Sequence, residues 1–536
     1  MFNLIMMVMK KLFVPSLLIT LLGCDSEGAF NSVTKIKLPP NPKITSLQLK
    51  YRNGFLVPDV ICTTCDEAMY QYQWVIDNKT VGTESTYELT DKDVGFDVRI
   101  NIIGMDDYKQ STSAYSVNRV SVVVSIESAA AAFAALKNDG SVTAWGRASN
   151  GGNIPSGLDL SSGIKSLFSN YYSFVAVRND GSVVTWGDSS KGGDSSSVDL
   201  TAGVKALYST RGAFAALMCD GSVTTWGSPY EGGDSSGIDF NNSVHAIYSN
   251  LFAFVALKED GSVVTWGDAD SGGDASGVDF SSGVKEIFST SFAFAALKND
   301  GSVVTWGKAN SGGDSSGVDL SGNVQMIYPN GESAFVAVKN DGSIVTWGFA
   351  SRGGDSSGVD LSGGIQSIHS TFSAFATLKD DGSVVTWGDP SYGGDSSSVD
   401  FGAGVNEIYS NMYAFAAVKN DGSVVSWGNA LRGGDSSSVD LSSGVEKLYI
   451  AKGGAFIAVK NDGSVVSWGD AVNGGDSSGV DFIGKVYKVY SNFNGGVASI
   501  QENGSVLTWG NYNYGGDSSL VEDKLKPSIE LIETSI

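Results

Sequence analysis

The sequence predicts an all-β chain dominated by one repeated β unit, and three observations carry that prediction. A Trp-Gly pair recurs ten times, at Trp145, Trp186, Trp226, Trp266, Trp306, Trp347, Trp387, Trp427, Trp468 and Trp509, spaced 40 or 41 residues apart. An Asp-Gly dipeptide precedes it in almost every unit, as in Asp139-Gly140, Asp180-Gly181 and Asp260-Gly261, with Asn503-Gly504 in the last. Around these fall short runs of β-branched, aromatic and small apolar residues. A fixed period of about 40 residues marks a propeller or a solenoid, in which each unit buries its apolar face only against its neighbours.

Within one unit the elements follow in order. Val204 to Ser209 is predicted as a first strand, Ala213 to Leu217 as a second and Ser222 to Trp226 as a third. Asp220-Gly221 joins the last two, because Gly supplies the positive φ that a tight hairpin turn requires. A variable loop follows Trp-Gly, then Gly-Gly-Asp-Ser-Ser, whose glycines serve backbone geometry rather than chemistry. Strands running up, down and up place every Asp-Gly hairpin on one face. The turns after the first strands and the loops after Trp-Gly then share the other.

This layout resembles the repeat of the regulator of chromosome condensation superfamily. More narrowly it is similar to the shorter version in bacterial secreted proteins, including the β-lactamase inhibitory propeller, where Ser-Gly-Val opens a blade as Ser162-Gly163-Ile164 and Ser282-Gly283-Val284 do here. The resemblance covers about residues 122 to 520. It departs from the family in having ten units where seven blades are usual, and Gly-Gly-Asp-Ser where Gly-Gln is usual. It implies a repeat β-propeller of ten short three-stranded units, with an open β-superhelix as the alternative. Ile529 to Thr534 resembles an eleventh first strand, so residues 521–536 are expected to close the ring beside the first unit or to cap an open edge.

The amino terminus predicts export. Lys10-Lys11 precede an apolar run, Leu12 to Leu22, too short to span a bilayer as a mature helix and sized for a signal peptide. Its end, Leu21-Leu22-Gly23-Cys24, resembles a bacterial lipoprotein signal: residues 1–23 are removed and Cys24 is lipidated. The expected location is the cell envelope, with a lipid anchor in the inner or outer membrane. Residues 24–41 then form a lipidated tether, with Pro39-Pro40 and little to bury.

Residues 42–121 form a second module. Tyr70, Tyr72, Trp74 and Ile76 alternate as on a strand with one buried face, followed by Asp77-Asn78, Thr86 to Thr90, and Asp93-Val94-Gly95 before Val98 to Ile102. These landmarks resemble the immunoglobulin-like domains of bacterial surface proteins. That resemblance implies a β-sandwich with Trp74 in its core, acting as a spacer. Cys62-Thr63-Thr64-Cys65 suits a small disulfide in an oxidising envelope, with a redox pair or half a metal site as alternatives. Cys219, standing before an Asp-Gly turn, is read as incidental.

A net charge of -23 excludes a basic nucleic-acid interface. Only two histidines occur, His245 and His369, both in first strands and in no visible nucleophile–base arrangement. The carboxylates of the repeats, such as Asp194, Asp199, Asp234 and Asp239, recur with the period, which suits turn capping better than a unique acid/base pair. Calcium on the Gly-Gly-Asp loops is the alternative. No enzyme activity, no cofactor and no metal are therefore expected. The candidate binding face is aromatic: Tyr171, Tyr172, Phe252, Phe292, Phe372, Met412, Tyr413 and Phe493 after first strands, and Tyr230, Tyr392, Tyr512 and Tyr514 after Trp-Gly. Such side chains either anchor a partner or pack over the neighbouring unit. The expected function is binding of another macromolecule, a protein or a surface glycan, in adhesion or protein–protein interaction. A glycan-active enzyme and an inhibitor of a secreted enzyme are the alternatives.

Overall fold

The computed structural model describes residues 44–52, 55–62, 71–76, 79–88, 97–105, 111–240, 244–402, 404–442, 444–482 and 484–531. Cys24 and Cys65 lie outside these residues, as does the side chain of Cys62.

Each repeat folds as the spacing predicts. In the third unit the strands Val204–Ser209, Ala213–Met218 and Val223–Gly227 form an antiparallel sheet in that order. Ser209 pairs with Phe214 and Ala213 with Gly227, so the turn after the first strand and the Trp-Gly end lie together. The Asp220-Gly221 hairpin is at the opposite end. Its Gly221 has φ +84°, and Asp220 Oδ1 accepts the Ser222 N–H at 2.9 Å and the Ser222 hydroxyl at 2.6 Å. Ten such sheets follow one another.

Tryptophan joins each sheet to the one before. Trp186 Nε1 donates to Gly151 O at 2.9 Å, Trp226 Nε1 to Gly192 O at 3.1 Å and Trp306 Nε1 to Gly272 O at 3.1 Å. A buried indole N–H needs such a partner, and in nine units the ring also stacks on a second-strand Phe with centroids 5.1–5.3 Å apart. The series ends where it began. Trp145 of unit 1 donates to Gly515 O of unit 10 at 3.0 Å, and Phe133, Ala135 and Trp145 share a core with Ala498, Ile500 and Val506. The ten units therefore form a closed ring and not an open superhelix. First strands lie innermost, their serines bonded around the ring: Ser169 Oγ to Ser128 O at 3.0 Å, Ser209 Oγ to Ser169 O at 3.2 Å, and Ser128 Oγ to Ser491 O at 3.1 Å across the seam.

The Gly-Gly pair is required by this joint. Gly272 has φ +99°, and a Cβ there would lie 2.6 Å from Phe294 Cδ2 of the next unit; one on Gly273 would meet the Gly267 carbonyl carbon at 2.6 Å. Gly272→Ala is expected to destabilise the ring by about 2–4 kcal/mol, from strained φ plus overpacking. Gly277→Ala, with nothing within 4 Å of its Cβ, should be near neutral. Urea denaturation followed by far-UV circular dichroism separates the two. Equal midpoints for both variants would refute the packing account.

The amino-terminal module contains β1 (Ile44–Arg52), β2 (Phe55–Cys62), β3 (Gln71–Ile76), β4 (Lys79–Gly82), β5 (Tyr87–Glu88), β6 (Asp97–Met105) and β7 (Ser111–Ser121). β1, β2 and β5 form one sheet; β7, β6, β3 and β4 form most of another. Trp74 is fully buried, donates Nε1–H to Glu84 O at 2.8 Å and stacks on Tyr87 at 5.6 Å. The carboxy-terminal strand, Ser528–Leu531, pairs with β7 rather than with the first blade, Ser528 opposite Ser121 and Leu531 opposite Asn118. It thus completes the second sheet of the module and covers the β7 edge.

The chain enters and leaves the ring beside the unit 1 hairpin. Val122 N donates to Asn138 Oδ1 at 3.0 Å, Ser121 Oγ bonds Asp139, and Lys137 Nζ reaches Lys526 O at 3.1 Å. Both connections to the module are therefore on the hairpin face. Cys219, expected to be incidental, is disulfide-bonded. With four cysteines in the chain, an intrachain bond there, a lipidated Cys24 and a Cys62–Cys65 bridge cannot all hold.

Candidate protein-binding face

The face opposite the hairpins is built from two loops per unit. After the first strand of every unit but 1 and 9, which have Ala129 and Ala451, an Asn or Thr side chain ties the turn together: Asn170 Oδ1 accepts from Tyr172 N at 2.8 Å and Ser173 N at 2.9 Å, while its Nδ2 donates to Lys191 O at 2.7 Å. After Trp-Gly comes a single 3-10 turn, such as Pro229–Glu231, stopped by a glycine in the left-handed region, Gly232 at φ 92°. The turns of neighbouring units bond through their backbones: Ala130 N to Tyr171 O at 2.9 Å, Tyr171 N to Arg211 O at 3.2 Å, Arg211 N to Leu251 O at 2.9 Å and, across the seam, Asn494 N to Ala130 O at 3.0 Å. A face so braced is rigid, which lowers the ordering cost of binding.

The structure divides the aromatic residues into two groups. Tyr171 stacks on Phe493 at 4.4 Å, over the small Ala129-Ala130-Ala131 turn of the unit between them. Phe252 stacks on Phe292 at 5.5 Å, Phe372 meets Tyr413 edge-on at 6.1 Å, and Tyr392 stacks on Tyr413 at 5.9 Å. Met412 is 4% exposed, and burial pushes the Tyr171 phenol well above its ordinary range. Tyr172 is half-buried under the Arg211 guanidinium, and Tyr514 is half-buried beside the exposed Tyr512. Apart from Tyr514, these rings pack across unit boundaries. Tyr230 and Tyr512, 86% and 73% exposed, instead stand free on their 3-10 turns.

Two apolar residues that the sequence reading passed over stand with them. Leu431 is 82% exposed and Val472 64%, each at the middle of its 3-10 turn as Tyr230 is of its own. Tyr512 opens the corresponding turn of unit 10, so units 8, 9 and 10 in succession expose an apolar side chain there, Leu431 and Val472 at the middle position. The signal was present in the alignment of units, where the same position holds Ser149, Ser190, Asp270, Asn310 and Ser391 elsewhere, but an aromatic criterion does not find aliphatic side chains.

Charge separates the faces. On the hairpin side most units set two aspartates against one lysine or arginine: Lys339 lies 3.6 Å from Asp319 and Lys460 3.7 Å from Asp440, with Asp341 and Asp462 in the adjoining turns. Serine hydroxyls and backbone N–H groups hold Asp319, Asp341, Asp440 and Asp462 below the usual carboxylate range, so these groups stay ionised. The loop side is more balanced, its cations lying against rings and carboxylates: Lys191 is 2.7 Å from Glu231, Arg352 pairs with Glu332, and Arg432 is 3.8 Å from Asp470. The Gly-Gly-Asp carboxylates cap turns, Asp194 Oδ1 accepting from Ser196 N at 2.9 Å and Asp234 Oδ1 from Ser236 N at 2.9 Å. Among the described residues no group of three His, Cys, Asp or Glu side chains is placed to hold a metal ion. His245 is exposed, 3.4 Å from Glu259, and His369 Nε2 lies 2.8 Å from Ser367 Oγ on the same strand.

Fold and face together define an all-β repeat protein: a closed ten-unit propeller with one acidic face and one rigid, partly apolar loop face. No protein-family model and no curated protein matches the chain. Among solved structures it is similar to yeast Prp20p, described with its binding to Gsp1p and histones, at 16% identity over 58% of this chain and 83% of that one, TM-score 0.30. Yeast RCC1 (Prp20) with Kap60 matches at 15% over 73% and 80%, TM-score 0.28. The ectodomain of the Physcomitrella patens receptor kinase CR4 matches at 16% over 54% and 76%, TM-score 0.30. At those scores the fold rests on this chain's own strand pairing.

Proposed function

We propose that the chain is a lipid-anchored envelope protein whose loop face binds another protein. The observation that carries this reading is the set of free apolar side chains on the loop face, Tyr230, Leu431, Val472 and Tyr512, projecting from turns whose scaffold does not need them. Exposed aromatic and aliphatic side chains on a rigid face are what an interface uses as anchors. The attachment geometry agrees: the amino-terminal module joins at the hairpin face, leaving the loop face on the other side of the ring from that connection. The order of Lys10-Lys11, apolar run and Cys24 supports the anchor, and the landmarks around Trp74 support an immunoglobulin-like spacer.

The test is affinity capture from envelope and host-surface extracts with the chain from Ser26 onward as bait. A triple variant, Tyr230→Ser with Leu431→Ser and Tyr512→Ser, should lose roughly tenfold or more of the captured partner. Asp319→Asn with Asp341→Asn on the hairpin face should lose none. Capture indifferent to the triple variant, in a protein of unchanged circular dichroism, refutes the loop face as the binding surface.

A further inference from the structure

Internal repetition shows what the loop face does with a ring. In unit 2 the Lys191 ammonium lies 5.8 Å from the Tyr172 centroid and pairs with Glu231 of unit 3. In unit 8 the Arg432 guanidinium lies 4.7 Å from the Tyr413 centroid and pairs with Asp470 of unit 9. In unit 5 the Lys308 ammonium lies 5.0 Å from the Phe292 centroid. The recurring arrangement is a cation against an aromatic ring, with a carboxylate beside it in units 2 and 8. Both contacts favour a positive charge.

Unit 4 departs from this pattern. Its ring is Phe252, but where units 2 and 8 carry the cations Lys191 and Arg432 its 3-10 turn has Ser271, and Asp270 stands where they have Ser190 and Leu431. Phe252, Phe292, Asp268, Asp270, Asp274 and Lys308 line an open groove of about 720 Å³ between units 4 and 5. Its floor is the stacked Phe252–Phe292 pair, 5.5 Å between centroids, and Lys308 already covers the Phe292 end. Asp268 is oriented by the Ser271 hydroxyl, 2.5 Å from its Oδ2, and Asp274 accepts from Ser276 N at 2.9 Å. The groove therefore has the ring of the pattern and carboxylates beside it, these from unit 4's own loop rather than from the next unit, and among the described residues no cation lies over Phe252.

Building on the reading that the loop face binds a protein, we propose that this groove receives a lysine or arginine side chain of the partner, seated on Phe252 between the carboxylates of unit 4. The partner then presents a basic surface. A net charge of -23 attracts such a surface from a distance and orients its approach. An uncharged sugar ring could stack on the same floor, but three carboxylates against one lysine favour a cation.

The probe is fluorescein-labelled hexalysine, with hexaglutamate as the counter-probe, titrated against the chain from Ser26 at physiological ionic strength and read by fluorescence anisotropy. Wild type should bind hexalysine and not hexaglutamate. Phe252→Ala, and separately Asp268→Asn with Asp270→Asn, should each weaken binding roughly tenfold. Asp319→Asn with Asp341→Asn on the hairpin face removes the same charge and should change binding by less than about twofold. Equal losses from the groove and hairpin variants would show attraction to overall acidity and overturn the proposal. So would wild-type binding that ignores the groove variants, or no binding at all. Affinity capture separates this from the wider reading: a partner lost by the Tyr230, Leu431 and Tyr512 triple variant but retained by the groove variants sinks the groove and leaves the face.

Discussion

Trp145→Ala is expected to lower the urea midpoint as far as Trp306→Ala does, although one belongs to the first unit and the other to the middle of the array. Each indole is 4% exposed, stacks on a second-strand Phe at 5.2 or 5.3 Å, and donates to a glycine carbonyl of the neighbouring unit at 3.0 or 3.1 Å. Truncating a buried Trp costs about 3–5 kcal/mol through lost transfer energy and the cavity left behind. The carbonyl of Gly515 or Gly272 also loses its donor, a further penalty if water cannot reach it. In an open array Trp145 would sit at an end with no unit before it, and its loss would remove only contacts within its own blade. Equal midpoints thus report closure. A tolerated Trp145→Ala beside a disruptive Trp306→Ala would show an open seam between units 10 and 1.

Much of this architecture was legible because it is local. Asp220-Gly221 specifies its hairpin through a positive φ and an aspartate capping the Ser222 N–H, and both signals lie within three residues. The partner of each tryptophan was not legible, since the Trp226–Gly192 bond spans 34 residues and depends on how sheets stack. The carboxy-terminal strand teaches the same lesson. Ile529-Glu530-Leu531 has the pattern of a first strand, but pattern fixes only that a strand forms; which free edge it takes, here β7, is settled by where the chain leaves the ring. On the loop face the turn positions that vary between units are legible from the repeat alignment alone. Which rings turn inward is not, because Tyr171 and Phe493 meet only after the ring closes across Ala130.

The inner wall makes the second large prediction. At the position where neighbouring first strands carry Phe168, Tyr208, Tyr248 or Phe288, unit 1 has Glu127. Burial pushes its carboxyl from 4.5 up to about 7; the charge of Lys452 and the Ser169 hydroxyl, 3.3 Å away, oppose this but do less. Between those two values the folded chain holds a proton that the unfolded chain has released. Stability from this group is therefore fully present below about pH 4.5 and lost as pH rises through about 7. The shift sets an upper limit of about 3 kcal/mol, less to the extent that water enters the ring. The turn aspartates stay silent over this range, because their lowered values make them lose stability only on acidification below their ordinary 3.8. Lys452 is held below the usual lysine range by burial and is favoured in its charged form by Glu127, so the two must be varied separately. Glu127→Gln should flatten the fall in urea midpoint between pH 5 and pH 8 and exceed wild type at pH 8. Lys452→Met should steepen it, by removing a charge that favours the Glu127 carboxylate. The quantity to read is the difference between variant and wild type at each pH, in which other titrating groups cancel. A difference that does not change with pH would show that the Glu127 carboxyl is as well solvated inside the ring as in the unfolded chain.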